Sequence, residues 1–359
     1  MEQIETLLGM LNLMVCPAFC VKGDTIVCVN QAAKTLLLSP GTPISQLLTT
    51  GTVEYPEFQD GYLYLTVSVG EKLWGTSVTR MGEYDIFVLE DDQRTEIQAM
   101  ALAAQQLRQP LSTIMTVADQ LFPLTGADDP AAQEQVARIN KGLFQMLRIV
   151  TNMSDAYRYS QENTGHQEIL NICNYLEEIF RTTRETIHHA GIDLHFQNLH
   201  ESVFSLADAE KLERAVNNIL SNALKYTPKG GTIDAKLTRR NNMLYLTVQD
   251  SGSGIPPELR GSLFSRYQRQ PGIESCQQGI GLGMVIIREA ASIHGGTVLL
   301  EFPKDCGTRI TMTIAIRKKT DAGVSSPIFR IDYAGGRDHR LLELSDSLPY
   351  DLYKAEDIN

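Results

Sequence analysis

The chain has 359 residues, 43% hydrophobic and 21% charged, a soluble mix long enough for two or three cores. It carries a formal charge of −11 and a pI near 5.2, with no Lys/Arg-rich block, which argues against sequence-independent nucleic-acid binding. Cys16, Cys20, Cys28, Cys173, Cys276 and Cys306 are scattered, with no CxxC pair, and read as reduced thiols rather than a disulfide framework. The most apolar early stretch, Leu11 to Val21, is too short to cross a bilayer, and no secretory leader pattern precedes it. A cytoplasmic protein without a membrane span is expected.

Residues 1–91 predict a small α/β domain. Val15 to Val21 and Thr25 to Val29 are strand-like runs separated by the turn signal Lys22-Gly23-Asp24. Asn30 to Leu38 follows as a short helix, and Gly61 to Val69, Leu73 to Arg80 and Tyr84 to Glu90 as a three-strand meander. This order, with the phrase Ile26-Val27-Cys28-Val29-Asn30-Gln31-Ala32-Ala33, resembles a PAS-type sensor domain. No histidine precedes His166, so haem ligation by histidine is excluded there. Cys16 and Cys20 stay open between a metal or redox role and two buried thiols, the reading their surroundings favour.

Residues 92–162 predict a helical hairpin. Ile97, Met100, Ala104, Leu107, Leu111, Ile114, Ala118 and Leu121 alternate by three and four, a heptad seam. Phe122 to Pro130 is a turn, after which Val136, Ile139, Leu143, Met146, Val150, Met153 and Tyr157 repeat the alternation. An antiparallel hairpin with such seams would bury them by forming a dimeric four-helix bundle. The rival reading is a packing face within one chain.

Residues 163–318 mix strands and helices. Ile192 to Phe196, Thr232 to Thr238, Leu244 to Gln249, Thr297 to Glu301 and Arg309 to Ile316 read as strands; Lys211 to Tyr226 and Leu282 to His294 read as helices. Residues 319–359 form a polar, turn-rich tail with apolar pairs at Ile328-Phe329 and Leu341-Leu342, suited either to docking on the body or to a partner.

Three pieces of the 163–318 region carry chemistry. On the first helix, Asn218 and Asn222 stand four apart on one face, with Lys225 one turn on and Tyr226 beside it. Amide oxygens are hard ligands suited to Mg²⁺, and a lysine suits a polyphosphate. Asp250-Ser251-Gly252-Ser253-Gly254 follows a strand, where a carboxylate can accept from an adenine amino group and glycines admit the backbone to a ligand. Gly279-Ile280-Gly281-Leu282-Gly283 opens a helix, whose bare amides form an anion site. Together these pieces resemble the asparagine box and two glycine boxes of the ATPase family that joins histidine kinases, gyrase, heat-shock chaperones and mismatch-repair ATPases. Leu263 to Arg269 is similar to the histidine kinases' phenylalanine box, Gln270 to Gln278 to the mobile lid, and Ile293-His294-Gly295-Gly296-Thr297 and Gly307-Thr308 to that family's closing phrases.

The resemblance implies a two-layer α/β sandwich that binds ATP and Mg²⁺. Asn222, supported by Asn218, would ligate the metal; Lys225 and Arg266 would meet the nucleotide, with Tyr226 near the adenine. Asp250 would select adenine, Gly252 and Gly254 would shape the base pocket, and Gly279, Gly281 and Gly283 would frame the phosphates. The hydrolysing branches carry a glutamate base where this chain has Asn218, and an asparagine cannot take a proton from water.

The hairpin departs from the family. Ala104-Gln105-Gln106-Leu107-Arg108-Gln109-Pro110-Leu111 aligns with the stretch that holds the phospho-accepting histidine, and that position is Gln105. An amide nitrogen is no nucleophile at neutral pH, and Gln106 lacks the carboxylate that would help take a proton. Gln109 stands where the family places a water-orienting residue for phosphatase action, so that activity stays open. The expectation is a degenerate histidine kinase in two-component signalling, acting in trans on a partner. Its partners would be a second copy through the hairpin, or an active histidine kinase in a heterodimer, and a response-regulator receiver domain. The alternatives are a non-catalytic ATP-binding scaffold and a response-regulator phosphatase.

Overall fold

The computed structural model describes residues 2–90, 103–104, 106–108, 111–118, 130–161, 167–199, 202–255, 282–303, 307–317 and 337–354. Gln105, Gln109, Arg266, Gly279 and Gly281 lie outside the described residues, as do the phenylalanine box, the lid and the expected 122–129 turn.

The N-terminal region begins with helix α1 (Glu2–Asn12), which the strand and turn signals did not foreshadow. Then come β1 (Ala18–Lys22), β2 (Thr25–Val29), α2 (Gln31–Thr35), α3 (Glu54–Glu57), β3 (Tyr62–Val69), β4 (Lys72–Met81) and β5 (Tyr84–Leu89). The expected strands sit within one to three residues of these bounds. Asn30 caps α2 by accepting from the Ala33 amide, and the same oxygen accepts from Ala18 N–H. Its Nδ2 donates to the carbonyls of Leu11 and Cys16, so one buried amide joins α1, β1 and α2. Cys20 and Cys28 face each other across β1 and β2 in a small apolar cluster under α1, and burial pushes the Cys20 thiol up to about 12. The thiolate needed for redox or metal chemistry is therefore disfavoured at Cys20, in line with a packing role.

Residues 111–118 are helical, and α4 (Pro130–Gln161) follows, opened by a proline where a missing N–H costs nothing. Leu143 and Val150 of the expected seam are buried within this chain, whereas Ile139 and Met146 are about half exposed.

Next come β6 (Glu168–Asn171), α5 (Ile172–His189), β7 (Asp193–Asn198), β8 (Phe204–Ala207), α6 (Ala209–Tyr226), β9 (Thr232–Arg240), β10 (Met243–Asp250), α7 (Leu282–Ile293), β11 (Val298–Glu301) and β12 (Arg309–Ala315). The sequence reading omitted β6, α5 and β8. Asn171 caps α5, and Asp208 caps α6 by accepting from the Lys211 amide. The sheet runs β11-β12-β10-β9-β7, antiparallel except for the β7–β9 pair, which brackets the α6 crossover. Alternate residues of β9 and β10, Ile233, Ala235, Leu237, Leu244, Leu246 and Val248, are buried in one core with the apolar faces of α5, α6 and α7, a two-layer arrangement.

The two sheets are continuous. β3 pairs antiparallel with β11, with Leu63 opposite Leu299, making ten strands in the order β2-β1-β5-β4-β3-β11-β12-β10-β9-β7. Gly61, at φ +96, lets β3 approach: a Cβ there would lie 2.1 Å from the Leu300 carbonyl oxygen. Arg288 of α7 is buried at this junction, paired with Glu90 and stacked 4.0 Å from the centre of the Tyr64 ring.

The tail docks on the body. Residues 337–354 contain α8 (His339–Glu343) and a 3₁₀ turn, Tyr350–Tyr353, and bury Leu341, Leu342, Leu344, Leu348 and Tyr353 in the main core. Ile328-Phe329 lies outside the described residues. Among the described residues, no helix is long and apolar enough to cross a membrane.

Candidate functional site

The site forms where the C-terminal half of α6, the end of β10 and the start of α7 converge. Asp250 ends β10 and is buried. Its Oδ1 accepts from Gly252 N–H at 2.9 Å and its Oδ2 from Thr308 N–H at 3.2 Å. A carboxylate offers about four lone-pair positions, so acceptor capacity remains for a ligand amino group. Burial pushes this carboxyl above the ordinary aspartate value against the pull of those amides.

The loop after Asp250 is pinned against two backbones. A Cβ on Gly252 would lie 2.3 Å from the Tyr226 carbonyl oxygen, and one on Gly307 would lie 1.8 Å from the Asp250 carbonyl oxygen. Gly254 adopts φ +70 and faces Gly307. Close packing of bare backbone therefore places Asp250, the last turn of α6 and residues 307–308 around one loop. Ser251 Oγ accepts from Thr232 N–H and ties the loop to β9.

On α6, Asn222 is half-buried, Lys225 is half-buried with Nζ 5.2 Å from the Tyr226 ring centre, and Tyr226 is exposed. These side chains fit the donor set that an Mg²⁺–polyphosphate needs: an amide oxygen, a cation and an aromatic face, with a buried carboxylate at one end. Asn218 sits deeper. It is buried, its Nδ2 donates to the Arg214 carbonyl, and Arg148 Nη2 reaches its Oδ1 at 3.5 Å. A Cβ on Gly283 would lie 2.9 Å from that same oxygen, so α7 begins against Asn218. Gln106 is helical and exposed.

His294 anchors the frame. Its Nε2 accepts from Asp208 N–H at 3.0 Å, and its Nδ1 donates to the Ala290 carbonyl at 2.7 Å, so the neutral ring carries its proton on Nδ1. Burial lowers its pKa below the ordinary value of about 6.5. Above that value both folded and unfolded histidine are neutral. Below it the unfolded chain takes a proton that the folded chain refuses, so stability falls by up to about 1.4 kcal/mol per pH unit until the lowered pKa is reached. Urea titrations of the wild type and His294→Gln at pH 7.5 and 5.5 check this. The variant is expected to lose less stability between the two; equal losses would remove His294 as the cause.

Arg148 and Arg214 belong to the neighbourhood of the site, and sequence reading missed both. Fully buried Arg214 pairs with Asp155 at 2.7 Å and with Glu343, and donates to Asn152 at 2.7 Å. Its position one turn before Asn218 was the available signal; its tail partner, 129 residues away, was not.

The family described as histidine kinase-, DNA gyrase B- and HSP90-like ATPase matches residues 207–318. Residues 207–318 are a histidine-kinase-type ATP-binding domain. The chain is 30% identical over 200 residues to sensor protein QseC of Salmonella typhi, covering 55% of this chain and 42% of that protein. It is 27% identical over 221 residues to sensor histidine kinase RppB of Synechocystis, covering 61% and 49%. It therefore spans less than half the length of these curated relatives. The solved structure of full-length ShkA in complex with AMPPNP has the same fold over 62% of this chain and 46% of that one, with TM-score 0.51 and 19% identity. The ATP-binding domain thus contains α6, the Asp250 loop and His294, and it runs up to the tail without including it.

Proposed function

We propose that the chain binds ATP with Mg²⁺ through its ATP-binding domain and works as a histidine-kinase-like two-component signalling protein that does not autophosphorylate at its own hairpin. The observation that carries this reading is the Asp250 loop locked against α6, in a chain whose aligned acceptor position is Gln105. Asn222 holds the metal with Asn218 behind it, Lys225 and Arg266 neutralise the nucleotide, and Asp250 accepts from the adenine amino group. Gly279, Gly281 and Gly283 are the positions that the resemblance assigns to the phosphates. With no nucleophile at Gln105, the γ-phosphoryl group goes to a histidine of a partner in trans, and ADP leaves.

The exposed seam positions Leu107, Ile114, Ile139 and Met146 support pairing of two hairpins, in a homodimer or with an active histidine kinase. Two strands, a short helical region and a three-strand meander closing on β1 support a PAS-like input domain in residues 1–91. A receiver domain is the expected downstream partner.

The test uses γ-labelled ATP and Mg²⁺. The chain alone is expected to stay unlabelled, while an added histidine-bearing hairpin from an active kinase takes up label. Self-labelling of the chain would sink the trans reading. Calorimetric ATP binding without label on any hairpin would move the assignment to a non-catalytic scaffold.

A further inference from the structure

The tail is joined to both sides of a boundary. On α4, Asn140 Nδ2 donates to the Tyr353 carbonyl at 3.0 Å, Phe144 meets the Tyr353 ring edge-on at 5.3 Å, and Gln145 Nε2 donates to the Ser345 carbonyl at 3.3 Å. Across the boundary, Arg340 Nη1 donates to the Thr182 carbonyl of α5 at 2.9 Å, and His339 Nδ1 lies 3.6 Å from Glu213 Oε1 of α6. Between the two, fully buried Glu343 pairs with Arg214 of α6 and stands 3.7 Å from Arg148 Nε of α4, while Asp346 takes Arg148 Nη1 at 2.5 Å.

Arg148 is where this cluster reaches the nucleotide site. One guanidinium faces two carboxylates of the tail and, through Nη2, the Oδ1 of Asn218. When the tail is docked, two carboxylates stand beside the helix that would meet a polyanion, and the charge of Arg148 is committed to them. When it leaves, that repulsion goes and a cation is freed next to Asn218.

We propose that residues 337–354 are an intramolecular strap that locks α4 to the ATP-binding domain and lowers its affinity for MgATP through Arg148. The proposal rests on the ATP-binding reading above and adds a regulatory element outside residues 207–318. The strap is an autoinhibitory contact: a partner that captures it releases α4 and the site together, and by reciprocity bound ATP favours the released strap.

The test uses the full chain as wild type, as Glu343→Gln/Asp346→Asn, and as Tyr353→Ala, which loosens the strap without touching the buried charges. Circular dichroism and a cooperative thermal transition establish that each variant is folded. Hydrogen exchange of residues 140–153 and 337–354 reports docking, and calorimetry reports MgATP affinity. Both variants are expected to raise exchange in both segments at least about tenfold and to tighten MgATP binding at least about threefold. Raised exchange with unchanged or weaker affinity overturns the coupling. Unchanged exchange in both variants overturns the strap. Absence of MgATP binding by the wild type overturns the nucleotide reading and the coupling together, and exchange alone then decides whether the strap is a lock.

Discussion

Methionine at position 214 is expected to lower the free energy of unfolding by about 3–5 kcal/mol, the cost of breaking a buried charge cluster by removing one member. Arg214 is fully buried between Asp155, Asn152 and Glu343, and both carboxylates left behind are themselves buried. Most of the loss comes from buried carboxylates that lose their nearest cation, Glu343 keeping Arg148 at 3.7 Å, rather than from the missing attraction. Arg214→Met combined with Glu343→Gln is therefore expected to be more stable than Arg214→Met alone, a non-additivity of about 1–3 kcal/mol in a double-mutant cycle. Urea unfolding of the four proteins measures both quantities. A single-variant loss below about 1 kcal/mol would mean that the cluster is hydrated and that Arg214 does not hold the tail.

Asparagine at position 250 is expected to weaken ATP binding roughly ten- to a hundredfold, the equivalent of the 1.5–3 kcal/mol of a hydrogen bond to a charged acceptor. Asp250 uses one oxygen for Gly252 N–H and the other for Thr308 N–H, so an amide NH₂ must oppose one of these donors whichever way it turns. Loop geometry and the proposed adenine contact are expected to be lost together. Alanine at position 252 tests the same point through packing. Its methyl would meet the Tyr226 carbonyl oxygen at 2.3 Å, on a helix end that cannot retreat as a side chain would, and ATP binding is expected to fall below detection with about 1–3 kcal/mol of stability lost. Because burial raises the Asp250 carboxyl, wild-type affinity is expected to start falling, as acid is added, at a higher pH than an ordinary aspartate would set. Calorimetry on the wild type and both variants settles these expectations; full affinity in Asp250→Asn would remove Asp250 from the base pocket.

The legible parts of the chain were those where local pattern and tertiary demand coincide. β2 and β10 alternate or run apolar within a few residues, and α6 carries both its Asn218–Asn222 spacing and a capping aspartate. The Asp250–Gly252 loop was visible because only glycine tolerates the approach of Tyr226, a constraint written into residue type. α5 was missed although it is strongly amphipathic: its run of Thr, Arg, Glu and His over 181–189 looks like polar surface until its apolar face is set against the sheet. Arg148 and Arg214 look like ordinary surface charges on helices. What makes them central is Glu343 and Asp346, brought over from the tail by packing that no local period records. α4 was legible as a helix, but the sharing of its apolar residues between this chain and an open seam was not, because periodicity gives a stripe and not its owner.

The pairing of β3 with β11 also bears on how the protein can be taken apart. Without β3, the strand Val298–Glu301 would present the backbone of Val298, Leu299 and Leu300 as an open margin of the ATP-binding domain. An apolar margin of that kind recruits strands from other molecules. Excision of residues 207–318 alone thus invites sticking and chain-to-chain zippering that the intact protein avoids, and mutations that loosen Gly61 or Glu90 carry the same liability. The N-terminal sheet thus covers, through β3, an edge that the ATP-binding domain would otherwise expose.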